Sequence, residues 1–289
     1  MVMPLWYTYH EGMKRLEEWV SRRDRVLVMG VLNVTPDSFY DGGRYASTDA
    51  AVAHALQMVD EGADIIDVGG ESSRPGAKSV SALEELERVV PVIQGIRQES
   101  EVLVSIDTTK AAVAREALAS GASIVNDISA LRFDADLIDV VVENDAFVVL
   151  MHMLGTPEIM QLAPHYVDVV EEIKAFLAER IEAAVQGGIA RERIIIDPGI
   201  GFGKRFEDNL AVLRCLLSFT TFGIPVMIGL SRKSFLAQIL NVAVEERLVG
   251  TIAANAMAIF NGVDIIRVHD VKEGRQTADV ARRLRPNGS

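Results

Sequence analysis

The chain has 289 residues, 49% of them hydrophobic, and its 41 acidic against 29 basic side chains give a formal charge of −12. That acid surplus excludes nucleic acid and an anionic membrane surface as main partners, and a single cysteine, Cys215, excludes an intrachain disulfide. No apolar run approaches the roughly 18 residues of a spanning helix, and the first 23 residues lack the continuous apolar stretch of a signal peptide. A cytoplasmic location is therefore expected, and the length suits one large α/β unit.

In chain order, residues 1–24 form an aromatic lead-in and a short amphipathic helix with Met13, Leu16, Trp19 and Val20 on one side. It is expected to cover the closed end of the fold. A strand at 26–32 runs into NVTPDSFYDGG, a long polar loop directly after a buried strand, where functional loops sit. Alternation then settles: a helix near 48–61, the strand ADIIDVGG, and a helix opened by Ser81 and Glu84 in capping-box spacing. Pro91 lies inside that helix, where a kink is expected. The strand VLVSID, a short helix from Lys110, the strand SIVND, a helix near 134–144 and the strand FVVLMHM follow. A long helix near 167–186 ends at paired glycines, and RIIID reads as a strand buried on both faces. Then come a helix near 209–218, the strand PVMIGL, two helical stretches to about 262, the strand DIIRVHD and a charged terminal helix.

Eight strands, each followed by helical periodicity, mean a parallel sheet. Without sequence for a second domain they favour closure: an α/β chain of the TIM (β/α)8 barrel class, with an N-terminal extension over 1–24 and the barrel over 25–289. An open doubly wound sheet would more often carry a dinucleotide fingerprint at its first turn, and MGVLNVTPDSF has none. GIGFGKR fails as a P-loop, because its glycine spacing is wrong and Arg205 stands where Ser or Thr is required.

In such a barrel the C-terminal strand ends meet on one face. Reading them off gives Asn33, Ser73 with Arg74, Asp107, Asn126, Met151, Asp197, Lys233, and Arg267 with His269. One pole, Asp107, Asn126 and Asp197, suits a planar heterocycle with an amino group beside a ring N–H, two donors that a carboxylate accepts together. Met151 offers that ring a soft apolar surface. The other pole, Arg74, Arg267, His269 and Asn33, suits phosphate oxygens, with Asn33 adequate as one ligand of a mostly hydrated Mg2+. Lys233 falls between the poles, and no basic partner for the two carboxylates is visible nearby in the sequence.

The segments NVTPDSF, DVGGESSRPG, SIDTTK, VNDI, LMHM, DPGIGFGK, SRKS and RVHDVKE together resemble the dihydropteroate synthase family of folate biosynthesis, from about 28 to 273 and in the same order. That resemblance implies condensation of 6-hydroxymethyl-dihydropterin pyrophosphate with para-aminobenzoate, assisted by Mg2+, in a homodimer whose pocket sulfonamides contest. It assigns the pterin to Asp107, Asn126, Met151, Asp197 and Lys233, and pyrophosphate to Asn33, Arg74, Arg267 and His269, with Asn33 also at the metal. It assigns para-aminobenzoate to Ser73, Pro75, Gly201, Phe202, Lys233 and Ser234 beneath a loop carrying Phe39 and Asp41. The catalytic set it implies is Asn33, Asp107, Asp197, Lys233, Arg267 and His269. Ser73 stands where bacterial members commonly show Thr, which loses a methyl contact and keeps the hydroxyl. The rival readings are a methyltetrahydrofolate-binding methyltransferase, against which the anion cluster speaks, and a non-catalytic pterin-binding paralogue, which would be expected to have lost strand-end residues.

Overall fold

The computed structural model describes residues 5–35, 43–72, 76 and 79–285, with residues 5–12 and 43–47 described by backbone alone. Its strands are β1 Leu27–Asn33, β2 Ile65–Gly69, β3 Leu103–Asp107, β4 Ile124–Asp127, β5 Phe147–Met151, β6 Ile194–Asp197, β7 Met227–Gly229 and β8 Ile265–Val268. All neighbouring pairs are parallel, in the order β6-β5-β4-β3-β2-β1-β8-β7. A parallel bridge between Ile196 and Val226 joins the two ends, so the sheet closes into the expected barrel.

Closure sorts side chains by the two-residue strand period. Leu27, Met29, Ile65, Ile124, Phe147, Val149, Ile195, Met227 and Ile265 fill the interior. Their alternates, among them Val28, Ile66, Val104, Val125, Val148, Ile194, Ile228 and Ile266, face the helices in the larger outer core. Strands buried on both sides therefore read as continuous apolar runs.

The first helix, α1 Leu5–Arg22, is longer than the short one expected. Its Met13, Leu16 and Trp19 belong to the interior cluster and plug the end of the barrel opposite the strand C-termini. Trp19 Nε1 donates to the Arg25 carbonyl at 2.8 Å, which satisfies its polar atom while the ring is buried. Burying those three side chains contributes roughly 1.5–3 kcal/mol each, and sets the extension as the floor of the barrel.

The surrounding helices are α2 Gly43–Asp60, α3 Ala82–Glu99, α4 Ala111–Ala119, α5 Leu137–Glu143, α6 Val169–Gln186, α7 Phe206–Arg214, α8 Ser234–Leu240, α9 Leu248–Phe260 and α10 Val271–Leu284. α2 begins at Gly43, several residues before the expected start near 48. Ser81 and Glu84 form the capping box at α3, with the Glu84 amide donating to Ser81 Oγ at 3.2 Å, and that helix runs on through Pro91. The helix expected over 209–218 stops at Arg214 and continues as a 3-10 turn over Leu216–Phe222, with Cys215 exposed between them. No described helix is long and apolar enough to cross a membrane.

Candidate active site

One row of the sheet carries the first part of the site. Asn33 pairs in register with Gly69, Gly69 with Asp107, and Asp107 with Asn126, so their Cα positions run side by side across β1 to β4. Gly69 leaves the gap in this row. A Cβ there would stand 3.8 Å from Asp107 Oδ2 and 3.9 Å from Asn33 Oδ1, so the missing side chain gives the two polar groups a common space. Asp127, beside Asn126, faces the other way. It accepts from the Ser129 amide and hydroxyl and from the Leu131 amide at 2.6–2.9 Å, holding the turn after β4.

The two expected poles meet at Arg267, which, from the anion pole, reaches over β1 into the carboxylate side. Its Nε donates to Asp67 Oδ2 at 2.7 Å and its Nη2 to Asp107 Oδ2 at 2.9 Å. Asp107 thus has the basic partner that sequence proximity did not offer. One guanidinium shared by two carboxylates cannot compensate both, and burial beside Asp67, Glu85 and Asp127 raises the Asp107 pKa above the ordinary range.

Asp67 is the residue sequence reasoning missed. It is fully buried, and Asn126 Nδ2 donates to the same Oδ2 at 3.0 Å that receives Arg267. Its Oδ1 has no protein partner. The signal was present: a carboxylate in the middle of the apolar run IIDVG is too costly to bury without partners.

Across the mouth, Asp197 Oδ1 accepts from the Gly199 amide at 2.7 Å and faces the charges of Lys233, Lys204 and Arg267; burial nonetheless raises its pKa. Lys233 donates to the Ile200 carbonyl, and its ammonium lies 4.9 Å from the centre of the Phe202 ring. Burial lowers its pKa to about 8 against the opposing pull of Asp197. Met151 pairs in register with Asp197 and joins Ile128, Met153, Met160 and Phe202 in a small apolar cluster at the rim. His269 is exposed and its Nδ1 lies 2.9 Å from Ser231 Oγ, which ties the end of β8 to the end of β7. Ser234 is exposed at the first turn of α8.

The loop after β6 is fixed by backbone needs. Gly199, Gly201 and Gly203 all have positive φ, and a Cβ on Gly199 would lie 2.0 Å from the His152 carbonyl, so that contact admits no side chain. A cavity of about 250 Å³ opens beside Asp107, lined also by Glu71, Glu85, Thr108, Lys110 and Phe133. Lys110 bridges Glu71 and the buried Glu85 there. Phe39, Asp41, Ser73, Arg74 and Pro75, with most of the polar loop after β1, lie outside the described residues.

A closed parallel barrel with carboxylates, an amide and cations gathered at the carboxyl ends of its strands is the build of a (β/α)8 enzyme, and residues 29–269 match the family described as pterin binding enzyme. The chain belongs to the dihydropteroate synthase family: it is 50% identical over 246 residues to the dihydropteroate synthase of Escherichia coli K12, covering 85% of this chain and 87% of that relative. The crystal structure of Yersinia pestis dihydropteroate synthase in a sulfonamide drug complex superposes with a TM-score of 0.86 at 43% identity, covering 91% of this chain and 95% of that one. The Xanthomonas albilineans dihydropteroate synthase in complex with 7,8-dihydropteroate gives 0.81 at 42% identity, covering 91% and 94%.

Proposed function

We propose that this protein condenses 6-hydroxymethyl-7,8-dihydropterin pyrophosphate with para-aminobenzoate, giving 7,8-dihydropteroate and pyrophosphate. The observation that carries the reading is the row of Asn33, Asp107 and Asn126 facing Asp197 and Lys233 across one barrel mouth. The C–O bond to pyrophosphate breaks first, leaving a carbon cation delocalised into the pterin. The arylamine nitrogen then forms the C–N bond and loses a proton. Asp107 and Asp197 stabilise the positive charge as it develops, more than in the ground state. Asn126 and Met151 orient the ring. Arg267 and His269, with Asn33 and Arg74, hold the departing anion. Gly201, Phe202, Lys233 and Ser234, with Ser73, Pro75, Phe39 and Asp41, form the para-aminobenzoate side, and excluding water there protects the cation from hydrolysis.

A magnesium ion fits the donor set in a limited way. Among the described residues no three His, Cys, Asp or Glu side chains are grouped to enclose a metal. Asn33 Oδ1, opening with Asp107 on the space above Gly69, suits an ion that keeps water and phosphate oxygens as its other ligands. Bound there, it would supply charge neutralisation at the leaving group.

The direct test is mass-spectrometric detection of dihydropteroate together with pyrophosphate release, with both substrates and with either alone. Product from both and from neither alone supports the reading; its absence in folded protein defeats it, and methyl transfer from methyltetrahydrofolate to a corrinoid would favour the methyltransferase. In the same assay Asp197→Asn is expected to lower turnover by at least about tenfold, from the loss of one charged contact.

The Lys233 contribution fixes a pH dependence. A lysine whose pKa is lowered to about 8 is charged below that pH and neutral above it. The kcat/KM for the pterin substrate therefore falls as pH rises through about 8, and Lys233→Arg moves that fall to higher pH even where it lowers the maximum. An alkaline limb in the same place with arginine would show that another group titrates.

A homodimer is the proposed assembly. Val249, Ala253 and Met257 repeat every four residues on α9 and are exposed, Val249 by 75% and Met257 by 62%, and Ile239 and Leu240 are exposed on α8. Such a stripe is large enough to be worth burying against a second copy. Sedimentation should give a dimer for the parent and a shift towards monomer for Met257→Glu.

A further inference from the structure

Beneath the loop after β6 lies a group that the proposed chemistry does not use. Lys204 is 3% exposed, and its ammonium has three acceptors: the Gly199 carbonyl at 2.8 Å, the Phe202 carbonyl at 3.2 Å and His152 Nδ1 at 2.9 Å. In its charged form three N–H donors meet three acceptors and the ammonium is fully used; burial lowers its pKa to about 7 against the opposing pull of Asp197. Two of its acceptors bracket the loop segment that carries Ile200, Gly201 and Phe202. The third belongs to the strand-end segment after β5, where the His152 amide also donates to the Asp197 carbonyl at 3.0 Å.

His152 is itself held. It is 5% exposed, and its ring meets the Phe176 ring edge-on with centroids 4.9 Å apart. Burial and the neighbouring charges of Lys204 and Arg132 push its pKa far below the usual imidazole value, so it is neutral and Nδ1 is free to accept. Three further bonds grip the same loop: Asn209 Oδ1 accepts from the Gly201 amide at 2.7 Å, Tyr166 Oη donates to the Gly203 carbonyl at 2.7 Å, and Gln161 Nε2 donates to the Gly201 carbonyl at 2.7 Å. The Lys204 bonds join both Gly199 and Phe202 to the His152 ring just past β5.

We infer that Lys204 and His152 are positioning residues for the arylamine subsite: the buried ammonium draws the loop onto the segment after β5 and so sets where Phe202 and Gly201 stand beside Lys233. This rests on the proposed condensation for its substrate. The pterin side is carried by Asp107, Asn126 and Asp197 on strand ends; the clamp meets Asp197 through the backbone of His152 and Gly199, bonds that a change of the His152 side chain leaves in place, so losing the side-chain clamp should act on para-aminobenzoate more than on the pterin.

The test compares His152→Phe, which keeps a flat ring and removes the acceptor, with His152→Asn, whose amide oxygen takes the place of Nδ1. In His152→Phe the KM for para-aminobenzoate is expected to rise at least about fivefold, the worth of one lost hydrogen bond, with the pterin KM and kcat within about twofold. His152→Asn should restore the KM to near the parent value. Amide hydrogen exchange over residues 199–203 should quicken in the first variant and return in the second, a readout that needs no turnover and so stands apart from the fate of the proposed reaction. If His152→Phe does not accumulate folded, Lys204→Met is measured with the same expectation. An unchanged para-aminobenzoate KM, an equal rise in both KM values, or no rescue by asparagine would overturn the inference.

Discussion

Arg267→Met is expected to lower unfolding stability by about 3–5 kcal/mol at neutral pH, the range seen when one partner of a buried ion pair is removed. The cause is specific. Asp67 and Asp107 accept from the two ends of one guanidinium, and Asp67 is fully buried. Without Arg267 both charges remain with no cation between them. In the variant the pKa of Asp107, already raised by burial, loses the opposing pull of Arg267 and rises further above its unfolded value, so the deficit is greatest at neutral pH and shrinks as pH falls and Asp107 protonates. Asp67→Asn on that background should recover part of the stability and none of the activity. Chemical denaturation across pH checks this, and a deficit equal at every pH would contradict it.

Asp107→Asn is expected to separate activity from stability. Burial raises the pKa of its carboxylate to about 7 even with Arg267 shared between it and Asp67, so a neutral amide relieves part of the cost that the folded state bears in carrying that charge. The melting midpoint should stay within a few degrees of the parent. The kcat/KM for the pterin substrate should fall at least about a hundredfold, since two donor contacts to a charged acceptor are each worth roughly 1.5–3 kcal/mol. Loss of fold and activity together would make Asp107 a structural residue rather than a binding one.

The architecture was legible because a parallel barrel writes itself plainly. Each strand is buried on both faces, so FVVLM is an unbroken apolar run and IIID is an apolar run closed by a carboxylate. Asn33, Asp107, Asn126, Met151 and Asp197 were read off the strand ends; the register sets Asn33, Asp107 and Asn126 in one row with Gly69, and pairs Met151 with Asp197 in another. What sequence could not supply was the pairing across the barrel. Arg267 lies 200 residues from Asp67 and 160 from Asp107, and only closure brings β8 within one strand of β2. The same holds for Lys204: GFGK showed a lysine after glycines, but its imidazole partner is 52 residues upstream on another strand end. The length of α1 was missed for a different reason. Its first turns precede the Met13, Leu16, Trp19 stripe that made the helix visible.

The central claim is that groups from separate strands meet on one bound ring. Calorimetric titration of 6-hydroxymethylpterin against Asp107→Asn, Asn126→Ala and Asp197→Asn tests it without any turnover, one variant each from β3, β4 and β6. Each is expected to weaken binding at least about tenfold, the worth of one well-made polar contact to a buried ligand. A parent-like affinity in any of the three, with its fold intact, would mean that the strand ends do not share a ligand.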